Sequence, residues 1–275
     1  MNSVQPLPIT VNKVVTSAGS GRLASLNSLR GIAALLVAVD HSILLTNRPS
    51  VDSLLFYCAT FIGAFGVGAF FLLSGFVIYL SLEKTPPLQF LLQRVFRIYP
   101  VIIAAVMLRF ASQVFMGVRE IDFHTVKILI LNISLFGNLF IPIESNIEPI
   151  VWSLSVEVKF YILMAVVFLV TKNRVNRLFP CLIIVAIVLG VWAANFPLLS
   201  KPAFIDLALA VSSIPVLLMG TTACLYYKKA IDRKKSVVLI SLLLVAFSFS
   251  PINDNVSFYK GLTAWILAAF AFGLW

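Results

Sequence analysis

The chain has 275 residues, of which 60% are hydrophobic and 12% charged, with a mean hydropathy of +1.02. The charged share is about half that of a soluble domain and excludes one, while several apolar runs reach the ~20 residues that cross a bilayer. The formal charge of +10 does not indicate nucleic acid: the lysines and arginines stand in short loops between apolar runs, where they set topology and meet anionic membrane lipids.

The fold class expected is therefore all-α, a polytopic transmembrane helical bundle of about eight spans. Residues 1–25 are polar and hold no apolar h-region, so they read as a cytoplasmic N-terminal tail, with residues 26–275 as the transmembrane domain. The first span, about Leu26 to Leu45, carries Arg30 and the pair Asp40-His41. An ionisable group at depth costs roughly 3 kcal/mol on insertion scales, so such groups face polar cavities and mark function. Arg30 and His41 are eleven residues apart, about 16 Å along a helix. That places Arg30 near one membrane surface and His41 past the midplane.

The second span, about Leu54 to Leu82, carries Gly63, Gly66, Gly68 and Gly75. Ala64 and Gly68 stand in small-xxx-small spacing, which favours close helix packing over ligand contact. After Pro86-Pro87, the stretch Leu88–Ile98 puts Gln89, Gln93, Arg94 and Arg97 on one face and apolar residues on the other, as an interfacial amphipathic helix would. Arg94 and Arg97 are three apart on that face. They fit bidentate phosphate binding, although headgroup anchoring is the favoured reading of the pair by itself. Pro100 suits the first turn of a third span ending near Gly117.

Val126–Ile141 is apolar but short and contains Asn132, Ser134, Gly137 and Asn138, which suits a re-entrant or short helix. Further spans are expected at about Ile150–Val170, Leu178–Phe196, Phe204–Tyr227, Val237–Ser250 and Phe258–Trp275. If 126–141 does not cross, the lysine-rich loop at Lys228–Lys235 lies inside with the N-terminus, as the positive-inside rule requires. Cys58, Cys181 and Cys224 fall in apolar runs without C-x-x-C spacing and read as buried small hydrophobes. No disulfide framework or metal site is expected.

In this topology Glu157 lies about 10 Å below the outer end of its span, level with His41, and Arg109 falls near the same depth. An imidazole can take a proton from an attacking hydroxyl. A carboxylate can orient that ring, with Ser153 one turn away to hold the carboxylate. The same residues also fit buried partners that only fix helix packing. Asp40 points about 100° away from His41 around the helix, where it could pair with Arg109 or Lys159.

Five ordered stretches resemble the acyltransferase-3 family of integral membrane O-acyltransferases. They are Leu29-Arg30-Gly31-Ile32-Ala33 with His41 at Arg-x10-His spacing; Phe70–Ile78; Arg94-Val95-Phe96-Arg97-Ile98-Tyr99-Pro100; Val151–Glu157 continued by Phe160-Tyr161; and Pro215–Gly220. The resemblance implies transfer of an acyl group, usually acetyl, from cytoplasmic acyl-CoA to a hydroxyl of a cell-surface polysaccharide or lipid-linked sugar. It implies that Arg30 and His41 are catalytic, with Glu157 in a motif position, and that Arg94 and Arg97 contact acyl-CoA. It implies a multi-pass protein of the inner (plasma) membrane with no permanently bound cofactor. Asn27 and Lys159 depart from the family pattern. No late Gly-x-x-Ser-Tyr-x-x-Tyr-x-x-His segment is found, so the resemblance is to a member without its C-terminal helices. A transporter or flippase, or an inactive truncated member, are the competing readings.

Overall fold

The computed structural model describes residues 12–47, 50, 53–136, 147, 151–171, most of 178–188, and 205–248. Among the helices that run through them are α1 (Asn12–Asn47), α2 (Leu54–Lys84), α3 (Pro87–Phe115), α4 (Phe123–Ser134), α5 (Val151–Thr171), α6 (Ile205–Tyr227) and α7 (Arg233–Ser248), and the described part of 178–188 is helical too. No strand occurs among the described residues. α2, α3 and α5 are long and apolar enough to cross a membrane. The expected span at Phe258–Trp275, the end of that at Leu178–Phe196, residues 1–11 of the tail and residues 137–146 fall outside the described residues.

Two boundaries differ from expectation. α1 starts at Asn12, well before the apolar run, because extending an existing helix is far easier than starting one. Leu88–Ile98 is not a separate interfacial helix. It forms the first turns of α3, which continues through Pro100. Pro100 removes one hydrogen bond, but a helix already holding packed turns on both sides of it absorbs that loss. α4 has 12 residues, about 18 Å, and is too short to cross. Asp122 caps it by accepting from the Thr125 N–H at 2.7 Å.

Glycines set the distance between α2 and its neighbours. A Cβ at Gly66 would meet the Ala33 carbonyl of α1, one at Gly75 would overlap the Leu217 carbonyl of α6, and one at Gly220 the Leu72 carbonyl of α2. The α2–α6 contact is thus a reciprocal pair of glycine-to-carbonyl approaches. Thr221 closes it by donating to the Gly75 carbonyl at 3.2 Å. Among the cysteines only Cys224 is buried; Cys58 lies exposed on α2. A helix that packs on one side leaves some of its apolar positions facing outward.

This packing makes a prediction. Gly220→Ala lowers stability by about 1–3 kcal/mol, the cost of forcing packed backbones apart. Gly31→Ala, which meets nothing within 4 Å, raises it by roughly 0.5–1 kcal/mol. Thermal unfolding of the two variants in detergent micelles checks both signs.

The helices pair in a consistent sense. α1 runs antiparallel to α2, since Asp40 packs on Gly63, Ala33 on Gly66 and Arg30 on Phe70. α2 and α6 run parallel, since Leu72 meets Gly220 and Glu83 pairs with Lys228. The α2–α3 turn with Lys84 and the α6–α7 turn with Lys228, Lys229 and Arg233–Lys235 therefore share one basic end. The buried core that joins α2, α5 and α6 includes Phe71, Tyr79, Phe160, Met164, Leu217 and Leu225.

Candidate functional site

Two charged residues of other helices, Arg30 and Arg94, turn toward α5. Arg30 Nη2 donates to Glu157 Oε1 at 2.9 Å; the two side chains are 12% and 2% exposed. The Arg30 guanidinium also lies 4.8 Å over the Phe70 ring. Two helices serve as rulers for the depth of this pair. Phe70 is fourteen residues before the end of α2, and Glu157 fourteen before the end of α5, so each places the pair about 21 Å from the basic end. That is near the middle of α2. Arg30 is consequently a mid-depth residue, not a near-surface one.

Arg94 sits below it, about 10 Å into α3. It is buried, donates to Ser81 Oγ at 2.8 Å, and stacks 5.0 Å from the Phe90 ring and 5.6 Å from that of Tyr161. Tyr161, one turn beyond Glu157, faces both Glu157 and Arg94, and the charge of Arg94 interacts with those of Arg30 and Glu157. A continuous chain of contacts thus runs Ser81–Arg94–Tyr161–Glu157–Arg30–Phe70. Arg97, three residues on from Arg94, is exposed. The two arginines share a face of the helix, yet only the first turns inward.

His41 lies elsewhere. Its ring is 39% exposed, with Nδ1 3.9 Å from Asp40 Oδ2, and Asp40 is buried against Gly63. Gly63 is seven residues above Phe70 on α2, about 10 Å, whereas α1 itself separates His41 from Arg30 by about 16 Å. The expectation that His41, Glu157 and Arg109 share one depth is therefore corrected: Glu157 is level with Arg30, His41 is a further 10–16 Å up, and Arg109 is exposed on α3. Helix register sets these depths, and the register comes from Gly63 and Gly66, not from where an apolar run begins.

The smaller polar contacts also differ from expectation. Arg30, and not Ser153, holds the Glu157 carboxylate. Lys159 donates to Ser155 Oγ at 2.7 Å, and Ser155 donates to the Leu135 carbonyl at 2.6 Å. Asp40 has His41 for its neighbour instead of Arg109 or Lys159. Asn132 accepts from the Ile147 N–H at 3.0 Å and Tyr99 donates to the Ser134 carbonyl at 3.0 Å. These bonds fasten the end of α4 to α3 and α5. Ser81, Phe90 and Tyr161 had no assigned role in the sequence, although Tyr161 stands one helical turn from Glu157 and so shares its face. No cluster of His, Cys, Asp or Glu able to hold a metal occurs among the described residues.

An all-helical bundle with a buried Arg–Glu pair halfway along its apolar helices defines a membrane protein with an internal charged site. The chain belongs to the acyltransferase-3 family: the family model described as an acyltransferase domain matches residues 23–275. No curated protein and no solved structure matches it.

Proposed function

We propose that this protein is a membrane O-acyltransferase that moves an acetyl group from acetyl-CoA to a hydroxyl of a cell-surface polysaccharide or lipid-linked sugar. The buried Arg30–Glu157 pair, with Arg94 joined to it through Tyr161, carries this reading. Charges held at that depth are costly even when paired and mark sites of function, and the family supplies acyl transfer as the chemistry. The protein sits in the inner membrane with its N-terminus and basic end in the cytoplasm, crossing about eight times. Excess lysine and arginine at one end supports that orientation.

The donor enters at the basic end, with Arg97 exposed along the way and Arg94 further in. His41, part-exposed near the opposite end beside Asp40, takes the proton from the acceptor hydroxyl as that oxygen attacks the thioester carbonyl. The thiolate leaves as coenzyme A, and the imidazole returns its proton to the leaving sulfur or to water.

Purified protein in nanodiscs, given acetyl-CoA labelled in the acetyl group and a polysaccharide acceptor, is expected to place label in alkali-labile ester on the glycan. A transporter would instead move the glycan across the bilayer without consuming acetyl-CoA, and that result overturns the reading.

A further inference from the structure

Asp40 is a buried acid that the Arg30–Glu157 cluster does not use. It is 8% exposed in the contact between α1 and α2, and its Oδ1 is buried without a hydrogen-bond partner among the described residues. Its side chain fills a notch in α2: a Cβ at Gly63 would overlap Asp40 Oδ2 and lie 2.9 Å from the Asp40 Cβ. Gly63 thus fixes where the carboxylate sits. α2 offers that carboxylate no cation. Its first charged residue is Glu83, twenty residues beyond Gly63 and about 30 Å along the helix. Arg30 is ten residues back along α1, about 15 Å, and is paired with Glu157.

Packing does not account for an acid in this notch. A neutral amide of the same size would fill it without the cost of a buried charge. What the carboxylate does have is a neighbouring ring. His41 Nδ1 lies 3.9 Å from Asp40 Oδ2, and no other basic group is within ion-pair distance of Asp40 among the described residues. That is too long for a hydrogen bond. It is short for a charge, whose effect beside packed helices is several times what it is in water. The carboxylate faces Nδ1, so it favours a proton on that nitrogen and leaves the Nε2 lone pair free. A ring that then takes a second proton becomes an imidazolium, and a carboxylate already fixed in place stabilises that charge as it forms.

We propose that Asp40, seated in the notch of Gly63, is a positioning residue for His41: it sets the tautomer of the ring and stabilises the imidazolium. The acceptor's proton goes to Nε2, Nδ1 keeps its own, and Asp40 neither gains nor loses one. Asp40 acts only through His41. Its effect on rate rests on the acyltransferase reading, whereas the tautomer does not.

The chain has two histidines, His41 and His124. Nuclear magnetic resonance of the full chain in nanodiscs, with histidine labelled at the ring nitrogens, reads both, and His124→Gln assigns them. The neutral His41 ring is expected in the Nδ1–H form in the parent. In Asp40→Asn it is expected to move to the Nε2–H form, which a free imidazole side chain prefers. In turnover with acetyl-CoA and a polysaccharide acceptor, Asp40→Asn is expected to lower kcat about tenfold or more with KM for acetyl-CoA kept. Asp40→Glu restores the charge one methylene further out and is expected to regain part of both signals. The melting temperature of Asp40→Asn in detergent is expected to stay level or rise, because a buried charge has been removed.

An unchanged His41 spectrum in Asp40→Asn overturns the pairing, as does an unchanged kcat. A variant that melts earlier yet turns over normally while folded also overturns it and makes Asp40 a packing residue. A tautomer that depends on Asp40, in a parent protein that transfers no acetyl group, supports the pairing and refutes the transferase reading.

Discussion

Arg30→Ala is expected to destabilise the folded protein by about 3–5 kcal/mol, because it strands the Glu157 carboxylate at 2% exposure with its ion-pair partner removed. Glu157→Ala has a similar cost, since it leaves Arg30 and Arg94 facing each other with no acid between them. Joint replacement, Arg30→Met with Glu157→Leu, removes both charges and fills the space with apolar atoms. Ion pairs replaced in this way come out near neutral, so the double variant should recover most of the loss. The surplus over additivity, read as a double-mutant cycle in detergent unfolding, is expected to be 0.5–3 kcal/mol. Single variants as stable as the parent would show that the pair is solvated and does not hold α1 to α5. The double variant should fold without transferring acetyl groups, since it no longer has the inner guanidinium.

His41→Ala should do the reverse. The ring is 39% exposed and lies 3.9 Å from Asp40 with no hydrogen bond among the described residues, so its removal is expected to change stability by no more than about 0.5 kcal/mol. Loss of a general base costs about 10²–10⁴ in rate, so acetyl transfer to the glycan is expected to fall by that factor with the amount of folded protein unchanged. Donor binding should be retained, because His41 lies toward the opposite end of the spans from Arg94 and Arg97. Full transfer by His41→Ala would remove this residue from the chemistry. A second acceptor-side base would then have to be sought near the outer ends of α1 and α2.

The two sets of variants thus separate roles that the sequence alone had merged. Arg30, His41 and Glu157 were expected around one cavity, at a depth counted from the start of each apolar run. Counting along one helix is reliable, and the separation of Arg30 from His41 follows from the chain itself. Comparing depths between helices is not, because it assumes that each run starts flush with the membrane surface. α1 begins fourteen residues before Leu26, and α3 absorbs the amphipathic stretch Leu88–Ile98. The arginine pair shows a related limit. Residues three apart share a helical face, but a face is broad enough for Arg94 to be buried under Tyr161 while Arg97 stays exposed.

The solvent the protein lives in, the helical class, the family and the residues worth testing can all be read along the chain. Those follow from composition, from the length of apolar runs and from motif order, all of which are local properties. Which of those residues meet depends instead on how the helices pack. Gly63 and Gly66 fix how α1 slides against α2, and Gly75 with Gly220 fixes α2 against α6. The absence of a Cβ lets two backbones approach at one register and no other, and that register carries Arg30 to Glu157 and leaves His41 apart.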